Sequence, residues 1–342
     1  MPRCVAVGSL GGTITMVPAA DGPGITPGLG ASDLVSVLQG LDLGVEVVAE
    51  TLLRKPGASL SFGDVLRAIQ WASDQVVAGA AGVVLVQGTD TLEETAFLAD
   101  LVWVHPEPIV VTGAMRGAHA LSADGAANVA DAVRVAVCGS ARERGALVVM
   151  NQQVHCAAVV RKTHSWALEA FVSPETGPAG VVVEGAVTFV QGCGVRHPPI
   201  AVTDMDVDVP VVLSALSDHG RTLSRLLEAH VDGVVLAAYG AGHVSSHESE
   251  IVKAWAPTIP VVISTRVGAG GTLRATYDFP GSEMDLQRRG AILAGRFDPL
   301  KSRILLGALL AGGYGRQGIV DAFAARGHHP NALPYESRVP PR

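Results

Sequence analysis

The stretch GVVLVQGTDTLEETAFLADLVW (residues 82–103) contains, in order, a strand, a sharp turn and a helix. GVVLVQ is an apolar, Val-rich run too short for a helix and closed by a glycine, so it reads as a strand buried on both faces. From Thr91 to Trp103, Leu92, Thr95, Ala96, Ala99, Val102 and Trp103 recur at helical spacing. Thr91 and Glu94 predict a capping box that starts this helix.

The same pattern extends outward in both directions. Short apolar runs stand at VAV (5–7), VEVVAE (45–50), PIVVTG (108–113) and ALVVM (146–150), with helical patterns between them. This alternation predicts an α/β fold in which a doubly wound, mainly parallel sheet is covered on both faces. In such sheets the loops at the carboxyl ends of the strands converge on one crevice. Residues in the turn VGSLGGT (7–13) and in GTDT (88–91) are therefore expected to be neighbours, Thr13 and Thr89 among them.

At 342 residues the chain exceeds the size at which one core keeps growing, which predicts two domains. The strand pattern breaks after Val190 into QGCGVRHPPI and an Asp-rich stretch to Asp208, then resumes at PVVLSAL (210–216), GVVLAAYG (233–240) and PVVIST (260–265). We expect an N-terminal domain over 1–190, a linker over 191–209 and a smaller α/β domain over 210–342. The second domain should carry two amphipathic helices, PLKSRILLGALLA (299–311) and RQGIVDAFAARG (316–327), and a Pro-rich tail.

Nearly half the residues are apolar, 4% are aromatic and 40 are glycine, which suits a buried aliphatic sheet with tight turns. A formal charge of -7 and no basic cluster longer than Arg288 with Arg289 argue against nucleic acid or an anionic membrane as partner. A small soluble substrate fits better. MPRCVAVGS leads straight into the first strand, so a cytoplasmic protein is expected. Cys4, Cys138, Cys156 and Cys193 lack CxxC spacing and are expected to stay reduced.

Two hydroxyls and a carboxylate, Thr13, Thr89 and Asp90, stand at strand-to-helix turns and point to hydrolysis. A threonine hydroxyl is a poor nucleophile until a base takes its proton. Lys162, one of few lysines in a chain where arginine dominates, is the candidate, because a lysine sheltered from water can act as a base. Other chemistries lack their motifs. GSLGGT has neither the G-x-G-x-x-G spacing of a dinucleotide turn nor the Lys-Ser/Thr of a P-loop. GASLS (57–61) lacks the final glycine of a nucleophile elbow. His243 and His247 are four apart but lack the Glu and third ligand of a zinc site. No metal or cofactor is expected.

Taken together, GGTI (11–14), QGTDTLEETAF (87–97), VTGAMR (111–116), SADGAAN (122–128) and RKTHSWALEAFVSPETGPAG (161–180) resemble the bacterial L-asparaginases, the threonine amidohydrolases. The likeness continues more weakly through YGAGHV (239–244), STRVGAGGT (264–272) and DPLKSRILL (298–306). It implies a smaller Rossmann-like C-terminal domain and a homotetramer of close dimers. It also implies that Thr13 is the nucleophile, and that Thr89, Lys162 and Asp90 activate a threonine or the hydrolytic water.

By the same resemblance Thr89, Asp90, Ser59, Ala114, Glu283 and His243 contact the substrate L-asparagine. Asp90 would hold the α-amino group and Ser59 the α-carboxylate. Glu283, in PGSEMDLQRRG (280–290), and His243, standing where the family has an asparagine, would come from a neighbouring subunit. One departure is marked: the family often places a tyrosine in its N-terminal loop, and GITPG (24–28) puts Ile25 there. Tyr277 is the candidate substitute. Glutamine is the natural competing substrate, since one extra methylene costs a pocket only about 1–3 kcal/mol. Two other readings are a catalytically weak amino-acid-binding homologue and an asparaginase-like amidotransferase subunit.

Overall fold

The computed structural model describes residues 4–12, 14, 16–18, 25–27, 30–36, 38, 43–226 and 229–327. Thr13 and the Pro-rich tail lie outside them. The chain divides into two compact units, residues 1–205 and 206–342.

In the first unit the strands are β1 (Cys4–Ser9), β2 (Met16–Pro18), β3 (Ile25–Pro27), β4 (Glu46–Thr51), β5 (Gly82–Val86), β6 (Ile109–Thr112), β7 (Ala146–Met150), β8 (Gln153–Cys156), β9 (Arg161–Lys162), β10 (Phe171–Val172), β11 (Gly180–Val183) and β12 (Ala186–Phe189). The helices are α1 (Ala31–Ser36), α2 (Phe62–Val77), α3 (Leu92–Val102) and α4 (Gly125–Val137). Eight strands form one sheet in the order β12-β11-β8-β7-β6-β5-β1-β4. The five predicted strands β4, β1, β5, β6 and β7 pair parallel. β8, β11 and β12 extend the edge antiparallel.

Burial explains why the sequence pattern was readable. β5, β6 and β7 are buried at every residue. One side chain set, Val84, Val86, Val110, Leu147 and Val149, packs with Val129, Ala132, Val133 and Ala136 of α4. The other sheet face is met by α2 and α3. β11 and β12 are less evenly buried and only four residues long each.

The second unit has β13 (Val211–Leu213), β14 (Val234–Ala238), β15 (Val261–Thr265) and β16 (Ile292–Leu293), with α5 (Arg221–Leu226), α6 (Ser246–Trp255), α7 (Glu283–Arg288), α8 (Pro299–Ala311) and α9 (Arg316–Arg326). Its four strands pair parallel in sequence order. α8 is not the amphipathic helix expected. Ile304, Leu305, Leu306, Ala308 and Leu309 are buried, and so are Lys301 and Ser302. Its polar positions are usable inside because the Asp298 carboxylate accepts from the Leu300 and Lys301 amides and from Lys301 Nζ at 3.1 Å.

Two further expectations are corrected. The Thr91–Glu94 capping box does not form. The Thr91 hydroxyl donates instead to the Gly57 carbonyl at 3.0 Å, a tertiary bond that takes the place of the cap. The cysteines are not all reduced either, since Cys156 is joined to Cys193, 37 residues on. Spacing along the chain gave no sign of it because β8 and the segment after β12 meet only through the folded edge of the sheet. In the chain-entropy view, closing a loop of that length restrains the unfolded state by about 4 kcal/mol.

His155, on β8, is completely buried. Its Nδ1 pairs with the Ser173 hydroxyl at 2.9 Å, while Nε2 is buried with no hydrogen-bond partner among the described residues. Burial penalises the charged imidazole and pushes its pKa from 6.5 down to about 4. Between those values the unfolded chain binds the proton and the folded one does not, so this contribution is complete above pH 6.5 and is lost towards pH 4. The loss should be about 3 kcal/mol, by the equivalence of pKa shift and free energy. Urea unfolding of wild type and His155→Gln across this range checks it: the variant should show a distinctly flatter stability profile.

Candidate active site

The sheet reverses its winding at β1. β4 lies on one side of it and β5 on the other, so the connections leaving β1 and β5 diverge and open a crevice at the carboxyl ends of these strands. The turn after β1 runs through Gly11 and Gly12, the turn after β4 through residues 52–59, and the turn after β5 through Gly88–Thr91.

These three turns pack backbone against backbone. Gly12 has φ 91°, a left-handed conformation that favours glycine, and a Cβ there would overlap the Gly88 N and Cα. A Cβ on Gly88 would lie 2.8 Å from Gly57 N. Gln87 Nε2 donates to the Gly88 carbonyl at 3.2 Å, and the Thr91–Gly57 bond closes the contact from the other side.

The 52–59 turn is held further by Asp64, a buried carboxylate in the first turn of α2. It accepts from Lys55 Nζ at 2.8 Å, from the Ser61 amide and hydroxyl at 3.0 and 2.9 Å, and from Arg67 at 2.6 Å. Burial pushes its pKa up, but the Lys55 and Ser61 hydrogen bonds outweigh that and hold it down at about 2. Ser59 ends the short 3-10 turn Gly57–Ser59 and is exposed.

Thr89 and Asp90 begin the 3-10 turn Thr89–Thr91, which leads into α3. Lys162, on the β9–β10 hairpin, reaches them from 72–73 positions away in sequence. Its Nζ donates to Thr89 Oγ1 at 2.9 Å and to Asp90 Oδ1 at 2.9 Å. The Lys162 side chain is only 16% exposed, whereas Asp90 is 65% exposed. The result is a hydroxyl, an amine and a carboxylate in one chain of contacts, with the carboxylate facing outward. An amine at this distance from a hydroxyl has the geometry that proton transfer requires.

Ala114 follows β6 and is buried. The loop that carries it is tied by residues whose role was not read from the motif SADGAAN. Asp124 accepts from the Met115 and Arg116 amides at 2.9 Å each. Asn128 donates to the Gly113 carbonyl at 3.0 Å and accepts from the Asn151 amide at 2.9 Å. A polar pair ending a strand-to-helix loop was the available signal.

The remaining predicted residues, His243, Tyr277 and Glu283, gather in the second unit. His243 Nε2 lies 3.1 Å from Glu283 Oε2. Glu283 is wholly buried, and its Oε1 accepts from the Thr276 and Tyr277 amides at 2.7 Å each. Burial raises its pKa, but these amides and His243 outweigh that and keep it below the usual carboxylate range. Tyr277 and Phe279 meet the His243 ring edge-on at 4.9 and 5.2 Å. His247 lies inside α6, its ring 5.6 Å from that of His219. Ile25 sits on β3, paired with Pro18 of β2.

Comparison with known proteins gives this geometry a context. The family described as "Asparaginase, N-terminal" matches residues 4–193, and "Glutaminase/Asparaginase C-terminal domain" matches residues 208–323. The chain belongs to the bacterial L-asparaginase family. It is 32% identical over 326 residues to a probable L-asparaginase of Deinococcus radiodurans, spanning 94% of this chain and 97% of that protein. It is 35% identical to a probable periplasmic L-asparaginase of Haemophilus influenzae over 66% of this chain and 64% of the relative. The crystal structure of a probable cytoplasmic L-asparaginase from Campylobacter jejuni superposes with a TM-score of 0.83 at 28% identity, covering 94% of this chain and 99% of the other. The asparaginase fold thus accounts for both units.

The turn packing yields a direct expectation. Gly88→Ala must push the Gly57 backbone away and shift the Thr89–Lys162 contact. Misplacement of that kind by about 1 Å costs on the order of 10²-fold in turnover. Far-ultraviolet circular dichroism should stay near wild type while the rate falls, and an unchanged rate would show that the three-turn contact does not control the site.

Proposed function

We propose that this protein is an L-asparaginase, converting L-asparagine and water to L-aspartate and ammonia. The observation that carries the proposal is the Thr89–Lys162–Asp90 contact beside the β1 and β5 turns. The family match and the named relatives support it.

In this proposal Thr13 Oγ attacks the side-chain amide carbon, an O–C bond forms, the C–N bond breaks, and ammonia leaves with the threonine proton. Water then opens the aspartyl-threonine ester and returns a proton to the Thr13 oxygen. Lys162 and Thr89 relay the proton, with Asp90 holding the lysine in place and its exposed carboxylate facing the substrate's α-amino group. The Thr89 amide steadies the oxyanion. Ser59 and Ala114 line the substrate. His243 and Glu283 belong to the site of a neighbouring copy, in a homotetramer of close dimers. The catalytic domain spans 1–190 and the linker 191–209.

Ammonia release from L-asparagine and, in parallel, L-glutamine tests the proposal. Wild type should hydrolyse asparagine, with Thr13→Ala and Lys162→Met reduced by at least about 10²-fold. A wild type that binds L-aspartate without releasing ammonia would mark it instead as a binding homologue. Activity surviving in Thr13→Ala would move the nucleophile to Thr89.

Tyr277 is our proposed substitute for the loop tyrosine that Ile25 replaces. Tyr277→Phe keeps the ring that packs on His243, so any loss reports the hydroxyl. A fall in kcat of about 10² to 10⁴ is expected if that hydroxyl transfers protons, and unchanged turnover removes it from the mechanism.

A cytoplasmic location is part of the proposal, supported by the Campylobacter jejuni structure. The Cys156–Cys193 bridge favours a second reading, an oxidising compartment, as the Haemophilus influenzae relative's periplasmic designation also does. Alkylation and mass measurement of protein taken directly from its native cells would distinguish the two.

A further inference from the structure

We propose that Gln87, which opens the motif QGTDTLEETAF (87–97), is a positioning residue for the amide hydrolysis. Its side chain turns the Gly88–Thr89 peptide so that the Thr89 N–H, and not the Gly88 carbonyl, faces the reacting carbon. This inference rests on the amidohydrolase reading above, in which the Thr89 amide steadies the oxyanion, and names the residue that aims that amide.

Gln87 is the first residue beyond β5, and it is completely buried although it is polar. Its backbone is fixed by β6, where the Thr112 carbonyl accepts from the Gln87 amide at 3.0 Å. Its side-chain Nε2 forks to two acceptors, the Gly88 carbonyl at 3.2 Å and Thr91 Oγ1 at 3.3 Å. Thr91 has one hydroxyl proton and gives it to the Gly57 carbonyl, so it presents a lone pair to Gln87. The Gly88 carbonyl can only accept. Both neighbours therefore require the N–H end of the Gln87 amide, which settles the way that amide faces. Its other end, Oε1, is buried without a hydrogen-bond partner among the described residues. A leucine or methionine would fill the same space with no polar atom to desolvate, so packing does not account for a glutamine here.

A trans peptide carries its C=O and its N–H on opposite edges. Drawing the Gly88 carbonyl towards Gln87 thus sends the Thr89 N–H the other way. Close packing of the three turns demands glycine at 88, and glycine has no side chain to limit how the following peptide turns. Gln87 supplies the missing restraint, and the Gly57 turn adds to it, since a Cβ on Gly57 would lie 3.0 Å from the Gly88 carbonyl oxygen. The other polar atoms of Thr89 are engaged: Oγ1 accepts from Lys162 at 2.9 Å, and the carbonyl accepts from the Leu92 amide. Among the described residues the Thr89 amide donates to none. A donor held in one direction before charge develops needs no reorganisation as the tetrahedral oxygen forms, which is the condition for stabilising it.

The test is the rate of ammonia release from L-asparagine by full-length wild type, Gln87→Met, Thr91→Val and the double variant. Methionine keeps the length of glutamine and fills its space but has no N–H to give. We expect Gln87→Met to lose about 10- to 100-fold in kcat, the scale of a misaimed oxyanion donor. kcat/KM should fall by a similar factor while KM changes by no more than about threefold, because a donor aimed at the oxyanion gains its strength only as the charge develops. A space-filling role for Gln87 would leave methionine with wild-type kinetics. Thr91→Val removes the second acceptor of the fork and should lower kcat by roughly threefold to tenfold, again at nearly constant KM. The double variant should be no more than about twofold slower than Gln87→Met, the mark of two residues acting as one unit.

Should Gln87→Met fail to fold, Thr91→Val decides the matter alone: a lowered kcat at constant KM upholds the positioning role, and an unchanged kcat overturns it. A Gln87→Met enzyme with wild-type kcat, or one whose loss lies in KM, overturns this inference and leaves the amidohydrolase reading intact. A wild type that releases no ammonia from L-asparagine overturns that reading and this inference with it.

Discussion

Three backbones meet where Gly12, Gly57 and Gly88 come together, and everything at the candidate site depends on how closely they do so. The turns belong to adjacent strands β4, β1 and β5, at the place where the sheet changes its direction of winding. Side chains there would hold the turns apart. Without them the Thr89–Asp90 turn lies directly against its neighbours, and a lysine from a distant hairpin can reach both of its polar groups at 2.9 Å. The chemistry is thus set by backbone proximity first and by side-chain identity second.

Within each unit, buried and half-buried carboxylates serve as fasteners. Asp64 fixes the β4 turn and the start of α2, Asp124 fixes the loop after β6, and Glu283 fixes the loop of the second unit. Each accepts backbone amides that have no strand or helix partner, which is the condition for ending a loop inside a protein. Asp90 is the exception: it is largely exposed, and its partner is Lys162. The contrast separates carboxylates that hold the fold from one free to meet a ligand.

Much of the first unit was legible because its central strands are buried on both faces and so appear as unbroken apolar runs. β8, β11 and β12 were not legible because each is only four residues long and they pair antiparallel through short connections, without the strand–helix alternation that marks the parallel strands. Thr91 was misread for a related reason. Its spacing to Glu94 satisfies a local rule, but the Gly57 carbonyl, 34 positions away, competes for the same hydroxyl and wins. The helix α8 was misread because periodicity cannot show that a buried lysine will find an aspartate one turn away.

The sequence by itself determined the fold class, the family and the identities of the polar residues at the turns, because strand burial and turn chemistry leave local signatures. Tertiary structure decided which of those residues meet. It joined Lys162 to Thr89 and Asp90 and linked Cys156 to Cys193. It also buried Glu283 beneath His243. The physical reason is the same each time: these contacts join segments tens of residues apart, and their partners are set by the packing of strands and loops, which no spacing along the chain encodes.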